Sequence, residues 1–131
     1  MQLGAEIRFI VGTETQLDST AGKGRVGVVF EDDGTTGYFY AVAPGAETTI
    51  LDALHIYNVT DVADRETPAK AQLFWTVNEL AAALIINGHC HALYDFQRQA
   101  GFCRTAFPAA RNGQQPKREL TDELVEQYFG A

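Results

Sequence analysis

Apolar residues recur along most of this chain with the spacing typical of β-strands. Five stretches are rich in β-branched and aromatic residues and predict strands: residues 7–12, 25–31, 38–42, 48–59 and 71–77. Residues 13–24 and 60–70 are polar and interrupted by Gly or Pro, which predicts loops. The first part of the chain is therefore expected to be β-rich.

A tight hairpin is predicted at Asp33 and Gly34, because Asp and Gly tolerate the positive φ values of a two-residue turn. Such a turn would place Val28 opposite Phe39. Alternation then assigns two faces, one with Val26, Val28, Phe30 and Phe39, the other with Val29, Tyr38, Tyr40 and Val42. Both faces are apolar, so we expect the hairpin in the sheet interior or at an interface.

Residues 77–87 carry two conflicting signals. Residues 76–79 fit a helix capping box, LAAAL is a good helix former, and Gly88 could end a helix. However, Asn87-Gly88 separates an apolar run from the alternating residues 89–96, and this is the strongest short-range hairpin signal. We favour the hairpin. It predicts three facing pairs: Ile86 with His89, Ile85 with Cys90, and Leu84 with His91.

A second reversal is predicted at residues 99–101, which would return residues 102–107 along the preceding strand and place Cys103 opposite Asp95. Residues 109–119 are polar and contain Gly and Pro, so they predict a linker. Thr121 then caps a short amphipathic helix over residues 120–130, with acidic residues at its positive end.

The predicted fold class is α+β. We expect a single domain, with residues 7–108 forming a mostly antiparallel sheet of six or seven strands in hairpins or a meander. The linker and the C-terminal helix follow, and the apolar stripe of the helix must dock on the sheet or on a partner, because so short a helix is marginal in water.

Composition narrows the class of protein. The chain has 131 residues, a hydrophobic fraction of 46%, a charged fraction of 21% and a net charge of -7, as in an ordinary acidic globular domain. Residues 1–66 hold 11 acidic and 4 basic side chains, so this half carries the whole excess of negative charge. These charges argue against nucleic acid or an anionic membrane as partner.

No stretch has the apolar length of a membrane span, and the start lacks the pattern of an export signal, so we expect a cytoplasmic protein. Cys90 and Cys103 are too few for a disulfide framework. The predicted register separates them by about 16 Å, which is too far for a disulfide. Both are expected to be structural thiols.

Four residues are candidates for ligand binding: His89, His91, Asp95 and Arg104. In a strand the two histidines share a face, but no Cys or His spacing completes a metal site, so neither metal nor cofactor is predicted. Asp95 and Arg104 are charges within apolar strands and require partners. The predicted register puts them on opposite faces, so each would bind backbone or an edge group.

Several segments carry a family resemblance: HIYNV at residues 55–59, a Trp-containing strand, ING at 86–88, HALYDF at 91–96 and GFCRTAFP at 101–108. Over roughly positions 24–110 the chain resembles a family of small bacterial β-rich proteins known only as a domain of unknown function. The resemblance implies no catalytic residue. By analogy of size, it suggests immunity-type proteins that neutralise toxins.

The favoured function is a non-enzymatic protein-binding module, immunity-like or accessory, which binds a basic partner or toxin through its acidic half or a sheet face. One alternative is a small enzyme or ligand-binding protein with a pocket near His89, His91, Asp95 and Arg104. Another is a structural homodimer that uses the hairpin face or the helix stripe.

Overall fold

The computed structural model describes residues 1–105 and 118–130. This part of the chain contains nine β-strands, a short 3-10 turn at Val59–Asp61 and one α-helix. The elements are β1 (Gln2–Phe9), β2 (Thr15–Ala21), β3 (Val26–Asp32), β4 (Thr36–Ala43), β5 (Thr49–Asn58), β6 (Ala69–Trp75), β7 (Ala81–Ile86), β8 (His89–Asp95), β9 (Ala100–Cys103) and α1 (Asp122–Phe129). The predicted α+β class is confirmed, with more strands than expected.

The strands form two antiparallel sheets. Sheet A has the order β1-β6-β7-β8-β9, and sheet B has the order β2-β3-β4-β5. Their inner faces supply one common core, in which Phe30 and Phe39 of sheet B lie with Leu73 and Leu84 of sheet A, all fully buried. Burial of these large side chains is the main stabilising contribution to the fold.

Helix α1 covers part of the outer face of sheet A. Leu124, Val125, Tyr128 and Phe129 pack against a second apolar cluster that includes Leu93. Thr121 caps the helix as predicted, since its side chain accepts a hydrogen bond from the Leu124 amide. Strands β7 and β8 are therefore buried on both faces.

The Asn87-Gly88 hairpin is confirmed. Ile86 faces His89 and Ile85 faces Cys90, and φ is +51° at Asn87 and +78° at Gly88, as a type I′ turn requires. A β-bulge follows, so Leu84 faces Ala92 and its predicted pairing with His91 is wrong. The alternative helix is absent because residues 76–79 close the β6–β7 turn, in which the Thr76 amide donates to the Ala81 carbonyl.

The predicted loop at residues 13–24 is wrong, because its middle forms β2 at the edge of sheet B. The strand alternates between exposed Gln16, Asp18 and Thr20 and less exposed Leu17 and Ser19. Because its outward side chains are polar and face solvent, the strand contains no apolar run that would identify it in the sequence. The glycines of the predicted loop, Gly22 and Gly24, lie just beyond the C-terminal end of the strand.

The β3–β4 turn is centred one residue later than predicted. The Asp33 amide donates to the Thr36 carbonyl, and Gly34 has φ of +96°, the pattern of a type II′ turn with Gly first. Phe39 therefore faces Phe30 and not Val28. A register shift of two residues preserves the faces, so the predicted placement of Tyr38 and Tyr40 on one face of the hairpin holds, and the structure shows that this is the outer face of sheet B.

The β8–β9 register differs from prediction by three residues. Cys103 faces Ala92 and not Asp95, and the turn occupies residues 96–99. An odd shift exchanges the two faces, so Cys103 lies in the inter-sheet core and the predicted opposite placement of Asp95 and Arg104 is wrong. Both cysteines are buried and no disulfide joins them, as expected.

The boundaries of the last segments also differ from prediction. Residues 106 and 107 of the predicted last strand and residues 109–117 of the predicted linker lie outside the described residues. Arg118 and Glu119, which complete that linker, run beside β9: the Cys103 amide donates to the Arg118 carbonyl, and Glu119 forms a parallel bridge with Cys103. The chain thus pairs with sheet A just before α1.

Asn87→Ala is expected to reduce the free energy of unfolding by about 1–3 kcal/mol. Alanine lacks the short polar side chain that makes Asn tolerant of positive φ, so the turn becomes strained. The substitution also removes the hydrogen bond from the Lys70 amide to Asn87 Oδ1. Asn87→Asp keeps the acceptor and tolerates this φ, so it serves as the control in urea denaturation. Equal losses in both variants would contradict the explanation.

Candidate functional site

The guanidinium of Arg104 joins sheet A to the start of α1. Its Nε donates to the Cys90 carbonyl at 2.9 Å, Nη1 to the Leu120 carbonyl at 3.3 Å, and Nη2 to Asp122 Oδ1 at 2.9 Å. Asp122 is highly exposed, so its ion pair adds little and the two carbonyl contacts dominate. The donors proposed for a ligand are thus engaged within the protein.

The carboxylate of Asp95 is buried and shapes the following turn. Oδ1 accepts the amides of Gln97 and Arg98, both at 2.9 Å, and Oδ2 accepts the Tyr128 hydroxyl. Burial and then this carboxylate raise the pKa of Tyr128. Asp95 therefore holds the end of α1, as Arg104 holds its start.

Asp95 does not pair with Arg104, although both lie on the helix side of sheet A. Asp95 ends β8 and lines a groove of about 450 Å³ beside Thr76, Leu80 and Tyr128. His89 begins β8 and lines another groove, of about 370 Å³, with Arg104 and Val125. The structure thus brings His89, His91 and Arg104 near one end of β8 and leaves Asp95 at the other.

His89 and His91 contact each other edge to face, with ring centroids 5.0 Å apart. Burial, then the charges of His89 and Arg104, lowers the pKa of His91 to about 4. Within residues 1–105 and 118–130, no group of three or more His, Cys, Asp or Glu side chains could hold a metal ion.

The outer face of sheet B presents a different surface, which we call the aromatic-acid face: Gln16, Asp18, Val29, Glu31, Tyr38, Tyr40, Ala53 and His55. Strand register aligns these side chains in two rows across all four strands. Tyr38 stacks on Tyr40 with centroids 5.7 Å apart and on His55 at 5.2 Å. None of the described helices or strands forms a layer over this face.

Polar contacts fix the rings of the aromatic-acid face. The Tyr40 hydroxyl donates to Glu31 Oε1 at 3.3 Å, and His55 Nε2 lies 2.9 Å from Asn58 Oδ1. Burial and then Glu31 raise the pKa of Tyr40, so its hydroxyl stays protonated at neutral pH. Sequence alternation placed the two tyrosines on the same face of the hairpin, but it missed Gln16 and Asp18, which β2 adds to that face.

Two antiparallel sheets with a C-terminal helix on one outer face define a small α+β protein. The chain belongs to a bacterial family whose model, described as an uncharacterized protein conserved in bacteria (DUF2251), matches residues 9–129. The match includes α1, which the resemblance seen in the sequence left out. The predicted membership in a domain-of-unknown-function family is confirmed.

A curated relative supports this membership. An uncharacterized protein of Haemophilus influenzae is 34% identical over 134 residues, which covers 99% of this chain and 83% of that protein. No solved structure matches. None of the helices in the described part of the chain has the length and apolarity needed to cross a membrane.

Arg104→Ala is expected to reduce the free energy of unfolding by about 2–4 kcal/mol, because it leaves two carbonyls unpaired and releases the start of α1. Arg98→Ala is the matched control, since Arg98 makes one exposed contact, at 3.4 Å, to Tyr128; its loss should stay below about 1 kcal/mol. Amide exchange in α1 should accelerate in the first variant only. Unchanged exchange would contradict this role.

His91 should make stability depend on pH. Its folded pKa of about 4 lies below the ordinary value of 6.5, so the unfolded state binds more protons in this window. The contribution is fully present above pH 6.5 and is lost as pH falls towards 4.

The variant His91→Gln should reduce the loss of unfolding free energy between pH 7 and about pH 4.5 by roughly 1–3 kcal/mol. His89→Gln, at an exposed neighbour, should keep most of that loss. Urea denaturation at both pH values measures it, and identical pH profiles for the wild type and His91→Gln would refute the assignment.

Proposed function

We propose that this protein is a non-enzymatic binding module that engages a basic protein partner through the aromatic-acid face. The observation that carries the proposal is the ordered stack of Tyr38, Tyr40 and His55 on a sheet face over which no described element forms a layer. The opposite outer face of the molecule, on sheet A, carries a helix. An accessory or immunity-like role is consistent with such a surface.

The stacked rings supply the apolar part of the contact. Tyrosine is enriched at the centres of protein interfaces because it buries a large area with few rotatable bonds. Tyr40 is already held by Tyr38 and Glu31, so little side-chain freedom remains to be lost on binding. The partner would meet a preorganised surface.

The charge of the face specifies the kind of partner. Asp18 is exposed beside Val29, and Glu31 lies in the row of Tyr38. The N-terminal half that builds sheet B carries the whole net charge of -7. Such a field accelerates encounter with basic proteins and repels anions. A basic toxin would satisfy this requirement.

The contacts within the grooves beside α1 argue against a small-molecule substrate there and so favour a protein partner. The charged groups that could orient a ligand there, Asp95 and Arg104, are engaged by the helix and its flanking backbone. A ligand would have to displace these contacts. The aromatic-acid face needs no such rearrangement.

A photoreactive phenylalanine analogue at position 40 should cross-link one basic protein in cells of the source bacterium. The same analogue at Ala63, an exposed turn residue outside the aromatic-acid face, is the control. Mass spectrometry identifies the adducts. With the partner purified, Glu31→Lys should weaken binding about tenfold or more, and salt should weaken wild-type binding. Absence of an adduct at position 40, or the same adducts at both positions, would refute the proposal.

A further inference from the structure

A single apolar row crosses the entire outer face of sheet A. Strand register aligns its members in the order Leu3, Phe74, Ala83, Leu93 and Phe102. Ala83, Leu93 and Phe102 belong to the cluster under α1, whereas Leu3 and Phe74 do not. The helix therefore covers three of five strands, and the apolar surface continues onto β6 and β1.

The uncovered part has further apolar side chains around it. Met1, Val77 and Leu80 are exposed and line the groove at the C-terminal end of α1, together with Phe129. We call Met1, Leu3, Phe74, Val77 and Leu80 the apolar shelf. Four of its members are large hydrophobic residues that remain exposed, and clusters of this kind mark interaction sites.

A basic pair lies on the same face, farther along β1 and β6. Arg8 faces Lys70 directly across the two strands. Neither forms an ion pair with a described residue. The neighbouring acid on this face, Glu6, accepts a hydrogen bond from Gln72 and forms no ion pair with Arg8 or Lys70. Like charges in directly opposed positions repel each other, so the pair is suited to a further acidic group supplied from outside.

The start of helix α1 supplies an acidic surface at the same level along the strands as the basic pair. Asp122, Glu123 and Glu126 are exposed. The start of α1 lies near His89, because Asp122 lines the same groove. The adjoining Asn87 is hydrogen-bonded to Lys70. The acidic start of α1 and the basic pair thus lie at the same end of sheet A, on different strands.

We propose that the apolar shelf and the basic pair bind a second copy of this chain. In a dimer with a two-fold axis parallel to the strands, each α1 lies over β1 and β6 of the other copy. The rotation keeps the direction of α1 along the strands, so its acidic start meets Arg8 and Lys70 and its C-terminal end meets Leu3 and Phe74. The contact is isologous, as in most homodimers.

Layer spacing and charge both favour this occupant. In the dimer, the α1 helices of the two copies lie side by side in one layer between the two A sheets. A single layer suffices because a helix packs about 10 Å from a sheet or a neighbouring helix. The excess acid lies on the half of the chain that builds sheet B, at the far side of the molecule. Dimerisation through sheet A therefore separates the two acidic faces and leaves them open.

The test measures the mass of the purified protein by sedimentation and by light scattering. Protein concentrations extend to about 1 mM so that a weak dimer is also detected. A mass of two chains at high concentration is expected. Leu3→Asp should raise the dimer dissociation constant about tenfold or more. Ile50→Asp is the matched control, since Ile50 is an equally exposed strand residue on sheet B, and it should leave the constant within about twofold.

Charge exchange tests the orientation. Arg8→Glu with Lys70→Glu should weaken the dimer, Glu123→Lys with Glu126→Lys should weaken it also, and all four substitutions together should restore it. Circular dichroism checks that each variant is folded. Any one of three results would overturn the proposal: a monomer at every concentration, a dimer insensitive to Leu3→Asp, or a variant with all four charge substitutions that does not regain affinity. Cross-linking at position 40 is independent of these outcomes.

Discussion

The structure depends on the burial of β7 on both faces. Residues 81–84 are all almost fully buried, with Ala82 and Leu84 against sheet B and Ala81 and Ala83 under α1. A one-residue slip would exchange these sets, and the small side chains leave room for a close layer on each side. The register of β7 therefore fixes which side chains of β6 and β8 face the core and which face the helix.

Short-range chemistry in the sequence was enough to predict the centre of sheet A. Asn87 and Gly88 define a turn by their own backbone preferences, so the first pairs of that hairpin followed without tertiary information. The register of β8 and β9 did not follow, because the reversal lies at residues 96–99, where Asp95 Oδ1 accepts the amides of Gln97 and Arg98 in an Asx-type turn, and not at the predicted residues 99–101. Tyr128, which binds the other oxygen of Asp95, is distant in sequence, and no local pattern points to it.

The candidate residues Asp95 and Arg104 also depend on contacts that are distant in sequence. Asp95 and Arg104 stood out because a charge in an apolar strand needs a partner, and that inference was sound. Asp95 Oδ1 binds the nearby amides of Gln97 and Arg98. The partner of its other oxygen, Tyr128, and the three partners of Arg104, namely the Cys90 carbonyl, the Leu120 carbonyl and Asp122, are 14 or more residues away. Sequence can show the need for a partner but not which element supplies it. Alternation was enough to place Tyr38 and Tyr40 on one face of the hairpin, whereas the residues that β2 adds to that face, Gln16 and Asp18, were hidden by the polarity of the strand.

The two outer faces of the domain have different physical roles because only one is covered by a described helix. On sheet A the polar side chains within apolar strands attach α1, so their hydrogen-bonding capacity is used internally. On sheet B no helix of the described residues packs against the outer face, and the carboxylate of Glu31 binds the hydroxyl of an aromatic ring instead. Recognition chemistry is therefore best sought where ordered side chains remain accessible, rather than where charges are most unusual in the sequence.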